Sequence, residues 1–427
     1  MKPLLASVIL LTLALTSPLA RAAGNIDESK VGSLPLPDVL VSADGKPIRD
    51  VVAWRAHRPA LLETFAREVY GRTPAARPPV FRWETTSVDR TALGGKATRK
   101  ELTLHFTARA DGPKLHLLVY QPNTGSDPYP AFLGLNFYGN QCVNTDPGIT
   151  VSTAWMRPKP EYGIVANRAT EKTRGAHATG WDVAQVVARG YATVTAYYGD
   201  LSPDHPAGFA ESVGPLFATG TAEQRAPDAW GALGIWAWGL SRALDVLAAD
   251  REIDATRVAV HGHSRLGKAA LWAAAQDERF ALVISNNSGA GGAALAKRDF
   301  GETVAMINKN FPHWFARNYR AYNAREAALP VDQHQLLALL APRPVYVASA
   351  TEDLHADPKG EFLAAQFAEP VYALYGKKGL GVSAQPSPDQ SVGDTIGYHI
   401  RTGPHAITPA DWTHYLAFAD RHLRKKP

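Results

Sequence analysis

Apolar side chains recur at helical spacing over residues 54–70 and stop at Gly71, which predicts a helix closed by a glycine. The period then changes to two. Residues 102–107 alternate strictly between apolar and polar, 115–120 read as a second strand, and 131–137 are nearly all apolar. That progression predicts an edge strand leading into a sheet buried on both faces. Further apolar runs of strand length occupy 192–197, 257–260, 282–285 and 344–349, and helical patterns lie between them at 180–188, 229–249 and 266–276. A last helix is expected over 409–422. Strands alternating with helices predict an α/β fold with a mostly parallel central sheet covered on both faces.

Two long stretches, 140–179 and 376–397, show no clean period and are expected to be insertions over the strand ends of a single domain spanning 23–427. Residues 1–22 read as an export signal. Lys2 supplies the positive start, 4–15 the apolar core, and Ala20-Arg21-Ala22 a small-residue cleavage site. That core is too short to span a bilayer, and no later stretch is long enough. A secreted or periplasmic protein with no membrane contact after cleavage is therefore expected.

Charge and cysteine content narrow the chemistry. The formal charge is only +5, and Lys2 and Arg21 would leave with the signal. The remaining basic residues are scattered except for Arg424-Lys425-Lys426 at the terminus, so no nucleic-acid partner is expected. A monomer is expected. Cys142 is the only cysteine, which rules out an intramolecular disulfide and a thiolate metal cluster. No metal or cofactor is expected.

The candidate chemistry centres on Val258-Ala-Val-His-Gly-His-Ser264-Arg-Leu-Gly-Lys268, where a β-like run stops at a serine and a helical pattern begins directly after it. A sharp strand-to-helix turn lifts such a serine above the sheet, and the first amides of the helix point at any oxyanion formed there. Gly262 leaves the required space two positions before the serine. The usual glycine two positions after it is replaced by Leu266, with Gly267 one step later. A serine hydroxyl needs an imidazole base, and the imidazole needs an acid to fix its tautomer. In the chain order serine, acid, histidine, position favours His405 over His399 and His414, because it precedes the last predicted helix. Asp353, following the apolar run 345–349, is favoured over Asp357, whose neighbours Pro358 and Lys359 suggest a turn or cap.

Gly262-His-Ser-Arg-Leu-Gly-Lys268, Ser288-Gly-Ala-Gly-Gly292, Asn310-Phe-Pro-His-Trp-Phe315, the segment from Asp353 to Phe362, and Gly403-Pro-His405 resemble, in order, the motifs of the glucuronoyl esterases, carbohydrate esterase family fifteen. The resemblance implies a three-layer α/β-hydrolase fold. It also implies hydrolysis, without a metal, of the ester between a xylan glucuronate and a lignin alcohol. On the matching positions, Ser264 is the nucleophile, His405 the base and Arg265 a cationic contributor to the oxyanion site. Lys268, Glu302 and Asn310 match residues that contact the sugar. Two departures stand out. Asn287 replaces a glutamate that many members use as the triad acid, which leaves Asp353 as the acid. His355 replaces a tryptophan that lies against the sugar, so substrate preference is expected to differ there. Esters of other uronates, or acetylated xylan, are the alternative substrates; a binding protein without catalysis is the alternative class.

Overall fold

The structure is a computed structural model that describes residues 24–75, 78, 81–125 and 128–424. The predicted export signal and most of the terminal basic run lie outside the described residues. The first helix, α1 (Val51–Phe65), is capped by Asp50, whose side chain accepts from the Ala53 amide. It continues through a π-helical turn to Tyr70 and ends at Gly71, where φ is 87° and a Cβ would lie 2.2 Å from the Trp230 Cα. Glycine is required at that stop.

The remaining elements are β1 (Arg82–Ala92), β2 (Ala97–His105), β3 (Lys114–Pro122), β4 (Tyr129–Asn136), α2 (Val183–Ala188), β5 (Ala192–Tyr197), α3 (Ala232–Leu247), β6 (Ile253–His263), α4 (Arg265–Gln276) and β7 (Leu282–Asn286). They are followed by α5 (Val304–Asn310), α6 (Gln333–Ala338), β8 (Val345–Ala350), α7 (Pro358–Leu374), β9 (Ser391–Gly393), β10 (Ile396–Arg401) and α8 (Pro409–Leu423). All ten strands join one sheet in the order β1-β2-β3-β5-β4-β6-β7-β8-β10-β9. The pairs from β5 through β10 run parallel, whereas β1, β2, β3 and the short β9 pair antiparallel.

Alternation along the central strands builds the three layers. Val258 and Val260 of β6 pack into the core beneath α3 and α4, while Ala259 between them packs into the core beneath α8. In β8 the same division separates Val345 and Val347 from Tyr346 and Ala348. Side chains pointing to opposite faces at a period of two give this result when both faces are covered.

The expected edge strand at 102–107 lies inside the sheet, because β1 pairs outside it. Most of β1 is solvent-exposed, so its sequence carries no apolar signal. The stretch 376–397 contains β9 and the start of β10, and 140–179 contains a succession of short 3-10 turns.

Candidate active site

Strand β6 gives way to α4 at a single residue. Ser264 has φ 56° and ψ −130°, a conformation that costs an L-residue free energy and persists only where packing enforces it. The enforcement comes from the glycines on either side. A Cβ on Gly262 would lie 2.1 Å from the Leu266 carbonyl oxygen, and one on Gly267 would lie 3.0 Å from both the Gly262 oxygen and the Ser288 Cβ. The first turn of α4 thus rests directly on the strand, with Gly267 supplying the clearance. The Ser264 amide donates to the Asn286 carbonyl at 2.9 Å, and the Ser264 carbonyl accepts from Gly267 at 2.9 Å. The amides of Arg265 and Leu266 precede that first helical bond, as the leading amides of any helix do.

His405 stands in the loop between β10 and α8, with its side chain 43% exposed. Its Nδ1 lies 2.5 Å from Oδ2 of Asp353, a buried residue just beyond β8. Burial by itself would raise the Asp353 carboxyl, but the His405 imidazole and the Asn287 side chain hold it below the usual carboxylate range. The Asn287 Nδ2 donates to Oδ2 at 2.8 Å. Asp357 instead caps α7, accepting from the Gly360 amide at 2.9 Å, and pairs with Arg298. The competing histidines are engaged elsewhere, away from the cavity that Ser264 lines. His399 is fully buried between Asp411 at 2.9 Å and Tyr346 at 3.0 Å, and His414 packs against its ring at 4.5 Å.

Arg265 is 21% exposed and pairs with the fully buried Asp204. Its guanidinium carbon sits 4.8 Å from the Trp314 ring centre and 5.4 Å from that of Phe311, two rings stacked at 3.8 Å. Burial opposes the charge on Arg265, and Asp204 more than compensates, so its pKa is raised. Asp204 is held well below the carboxylate range against its own burial by His313, Arg265 and Trp314. The Trp314 Nε1 donates to Asp204 Oδ1 at 2.7 Å, and His313 Nε2 lies 2.8 Å from that oxygen.

Lys268, one helical turn after Ser264, is almost fully buried, and its Nζ donates to the carbonyls of Ser288 at 2.6 Å and Ala290 at 2.5 Å. Those two bonds leave one ammonium hydrogen on the side where Glu302 lies 3.8 Å away. Glu302 in turn faces the His355 Nε2 at 3.4 Å. Burial would raise the Glu302 carboxyl, but His355 and Lys268 keep it lowered.

Ser264, Arg265, Lys268, Glu302, Asp353, His355 and His405 all line one cavity of about 340 Å³ at the C-terminal edge of the parallel strands. Asn310 does not. It is the last residue of α5, and the following residue, Phe311, lines the cavity in its place. Sequence reasoning also passes over Asp204, His263 and Glu361. The His263 ring packs 4.5 Å from the His405 ring, and burial pushes its pKa down to about 3, so a neutral ring adjoins the imidazole. Glu361 lies fully buried beneath the Ser288–Gly292 loop, accepting from the Gly289 amide at 3.0 Å and the Ser349 hydroxyl at 2.6 Å. Among the described residues, no group of three or more His, Cys, Asp and Glu side chains is placed to hold a metal ion.

A serine on a strained turn, a buried carboxylate against an imidazole and a mostly parallel sheet between two helical layers define an α/β-hydrolase. A family model described as glucuronyl esterase, fungi, matches residues 224–376. Carbohydrate esterase MZ0003, from an unknown prokaryotic organism, is 44% identical over 402 residues, covering 93% of this chain and 92% of that protein. The solved glucuronoyl esterase from Solibacter usitatus is 46% identical with a TM-score of 0.88, covering 93% of this chain and all of that one (100%). A promiscuous CE15 esterase from a marine bacterial metagenome is 42% identical with a TM-score of 0.86, covering 94% of this chain and 100% of the other. The chain belongs to the glucuronoyl esterases, carbohydrate esterase family 15, and is an ester hydrolase.

Proposed function

We propose that the protein hydrolyses esters of glucuronate, in its natural setting those joining the 4-O-methyl-glucuronate of xylan to lignin alcohols, through an acyl-enzyme intermediate. One observation carries this reading: the Asp353–His405 pair shares a cavity with a strained Ser264 and a half-buried, always-charged Arg265. Ser264 Oγ attacks the uronoyl carbonyl carbon while His405 takes the hydroxyl proton. The negative charge that develops on the carbonyl oxygen is favoured by the Arg265 guanidinium and the leading amides of α4, groups already oriented before the reaction starts. The ester C–O bond then breaks, and His405 returns its proton to the departing alcohol. Water, deprotonated by His405, attacks the acyl carbon and releases glucuronate and free Ser264.

Asp353 keeps the imidazole in the tautomer that presents Nε2 to the serine and stabilises the imidazolium. Among the described residues the Ser264 hydroxyl makes no hydrogen bond, and in unliganded hydrolases this contact commonly tightens only as substrate binds. Lys268 and Glu302 supply a charged donor and acceptor for the sugar hydroxyls, with His355 beside them. The export-signal pattern over 1–22 supports action outside the cytoplasm. Among the described residues no helix is long and apolar enough to cross a membrane.

Ser264→Ala is the direct test. Turnover of benzyl glucuronate is expected to vanish while the melting temperature holds, and substantial residual turnover would remove the serine mechanism. Methyl galacturonate and acetylated xylan, assayed beside methyl glucuronate, test the substrate class. Equal rates on all three would remove the glucuronate assignment.

A further inference from the structure

A second cavity, about 140 Å³, lies behind the segment that walls the first. Phe311 and Trp314 line the Ser264 cavity, whereas Pro312, His313 and Phe315 line the other. Three arginines also line it, Arg225, Arg317 and Arg320. Each is anchored by one N–H to a backbone carbonyl: Arg225 to Trp230 at 3.2 Å, Arg317 to Arg225 at 2.8 Å, and Arg320 to Pro312 at 3.0 Å. Arg225 is further fixed by the Phe209 ring, 3.6 Å below its guanidinium carbon. Among the described residues, none of the three has a carboxylate within ion-pair distance. Glu223, the one acidic residue in the lining, is solvent-exposed.

Three cations therefore share one lining carboxylate, Glu223, which acts on all of them and leaves an excess of positive charge. Guanidinium groups gathered against a single exposed carboxylate repel one another, and burial with the neighbouring Arg317 lowers the pKa of the half-buried Arg225 although Glu223 opposes the shift. Buried nitrogens on four lining residues, Arg225 Nε, Arg317 Nε, Trp230 Nε1 and His313 Nδ1, have no hydrogen-bond partner. An oxyanion relieves such a cluster, because planar guanidinium forks match its paired oxygens.

We propose that this cavity is a binding site for one small oxyanion, held by Arg225, Arg317 and Arg320. The volume suits a carboxylate, sulfate or phosphate group rather than an oligosaccharide. Its occupant sits beside His313, whose other ring nitrogen faces Asp204, the counter-ion of Arg265. The carboxylate can come from free glucuronate, the product of the proposed reaction, or the oxyanion can be inorganic.

Isothermal titration of the full chain with sodium sulfate, at ionic strength held constant with chloride, is expected to give saturable binding of one ion per chain. Arg317→Gln and Arg320→Gln, each checked for an unchanged melting temperature, are expected to weaken it by about tenfold or more. Anomalous density from selenate in crystals of the unaltered protein gives the position even where a variant fails to fold. Unsaturable heats together with no selenate at this cavity would overturn the proposal, as would undiminished affinity in both folded variants. Competition of sodium glucuronate with sulfate at this site makes the reaction product its occupant, and binding of sulfate untouched by glucuronate makes the occupant inorganic. Either result requires the site to exist.

Discussion

Asn287 donates its side-chain amide to Oδ2 of Asp353, the same oxygen that faces the His405 imidazole. The amide at the position where the resemblance leads one to expect a glutamate therefore supports the proposed acid, which follows a different strand. Asp353→Asn is expected to lower kcat by roughly a thousandfold or more, because the imidazole loses both its orienting acceptor and its counter-charge. Asn287→Ala removes one neutral donor and is expected to cost no more than about tenfold. Rates measured on benzyl glucuronate across pH check both points, and the reverse ranking of the two variants would transfer the acid role away from Asp353.

Asp204 holds Arg265, His313 and Trp314 together while being fully buried. Taking its charge away leaves the Arg265 cation uncompensated. Asp204→Asn is expected to lose roughly 3–5 kcal/mol of stability and a large part of kcat. The carboxyl is depressed in the folded state, so its contribution is fully present above the unfolded value of about 3.9 and is lost as pH falls below it toward the folded value. Urea unfolding of both proteins across the acid range should show their difference constant above about pH 4 and shrinking below it.

Burial raises the Glu361 carboxyl to about 8. Between the unfolded value, about 4.3, and about 8 the folded chain holds a proton that the unfolded chain has released, so stability falls as pH rises through that window. Glu361→Gln keeps an acceptor for the Gly289 amide and carries no ionisable group. Its stability relative to the parent is expected to improve from about pH 5 to about pH 8. Paired urea midpoints at the two ends measure this, and a constant difference would mean that Glu361 is ionised in the folded protein.

His355 faces Glu302 across 3.4 Å on the proposed sugar side of the cavity, and its imidazole offers less stacking surface than an indole. His355→Trp is expected to lower KM for 4-O-methyl-glucuronate esters by about two- to tenfold with little change in kcat. A change confined to kcat would place His355 in the chemistry instead.

The parallel centre of the sheet and the serine turn are legible in the chain because both faces are buried there, and continuous apolar runs such as Val258-Ala-Val260 have few other readings. Helix α7 escapes notice because Pro358, Gly360 and Pro370 interrupt it, although Asp357 caps it and Pro358 sits in its first turn, where proline is tolerated. Asp204 gives no local signal at all. Its value comes from partners 61 and 110 residues away, brought together by strand order rather than by spacing. Glu361 is hidden for the opposite reason, since it reads as one more polar residue on a helix until the loop above it is seen to close over it.

The exposure of the His405 side chain, in contrast to the sunken Asp353 behind it, puts the proposed proton donor for the departing group at the rim. Whatever is attached through the ester oxygen can stay in bulk solvent while only the sugar descends. Under the proposed reaction, a bulky alcohol then needs no channel of its own to leave the site.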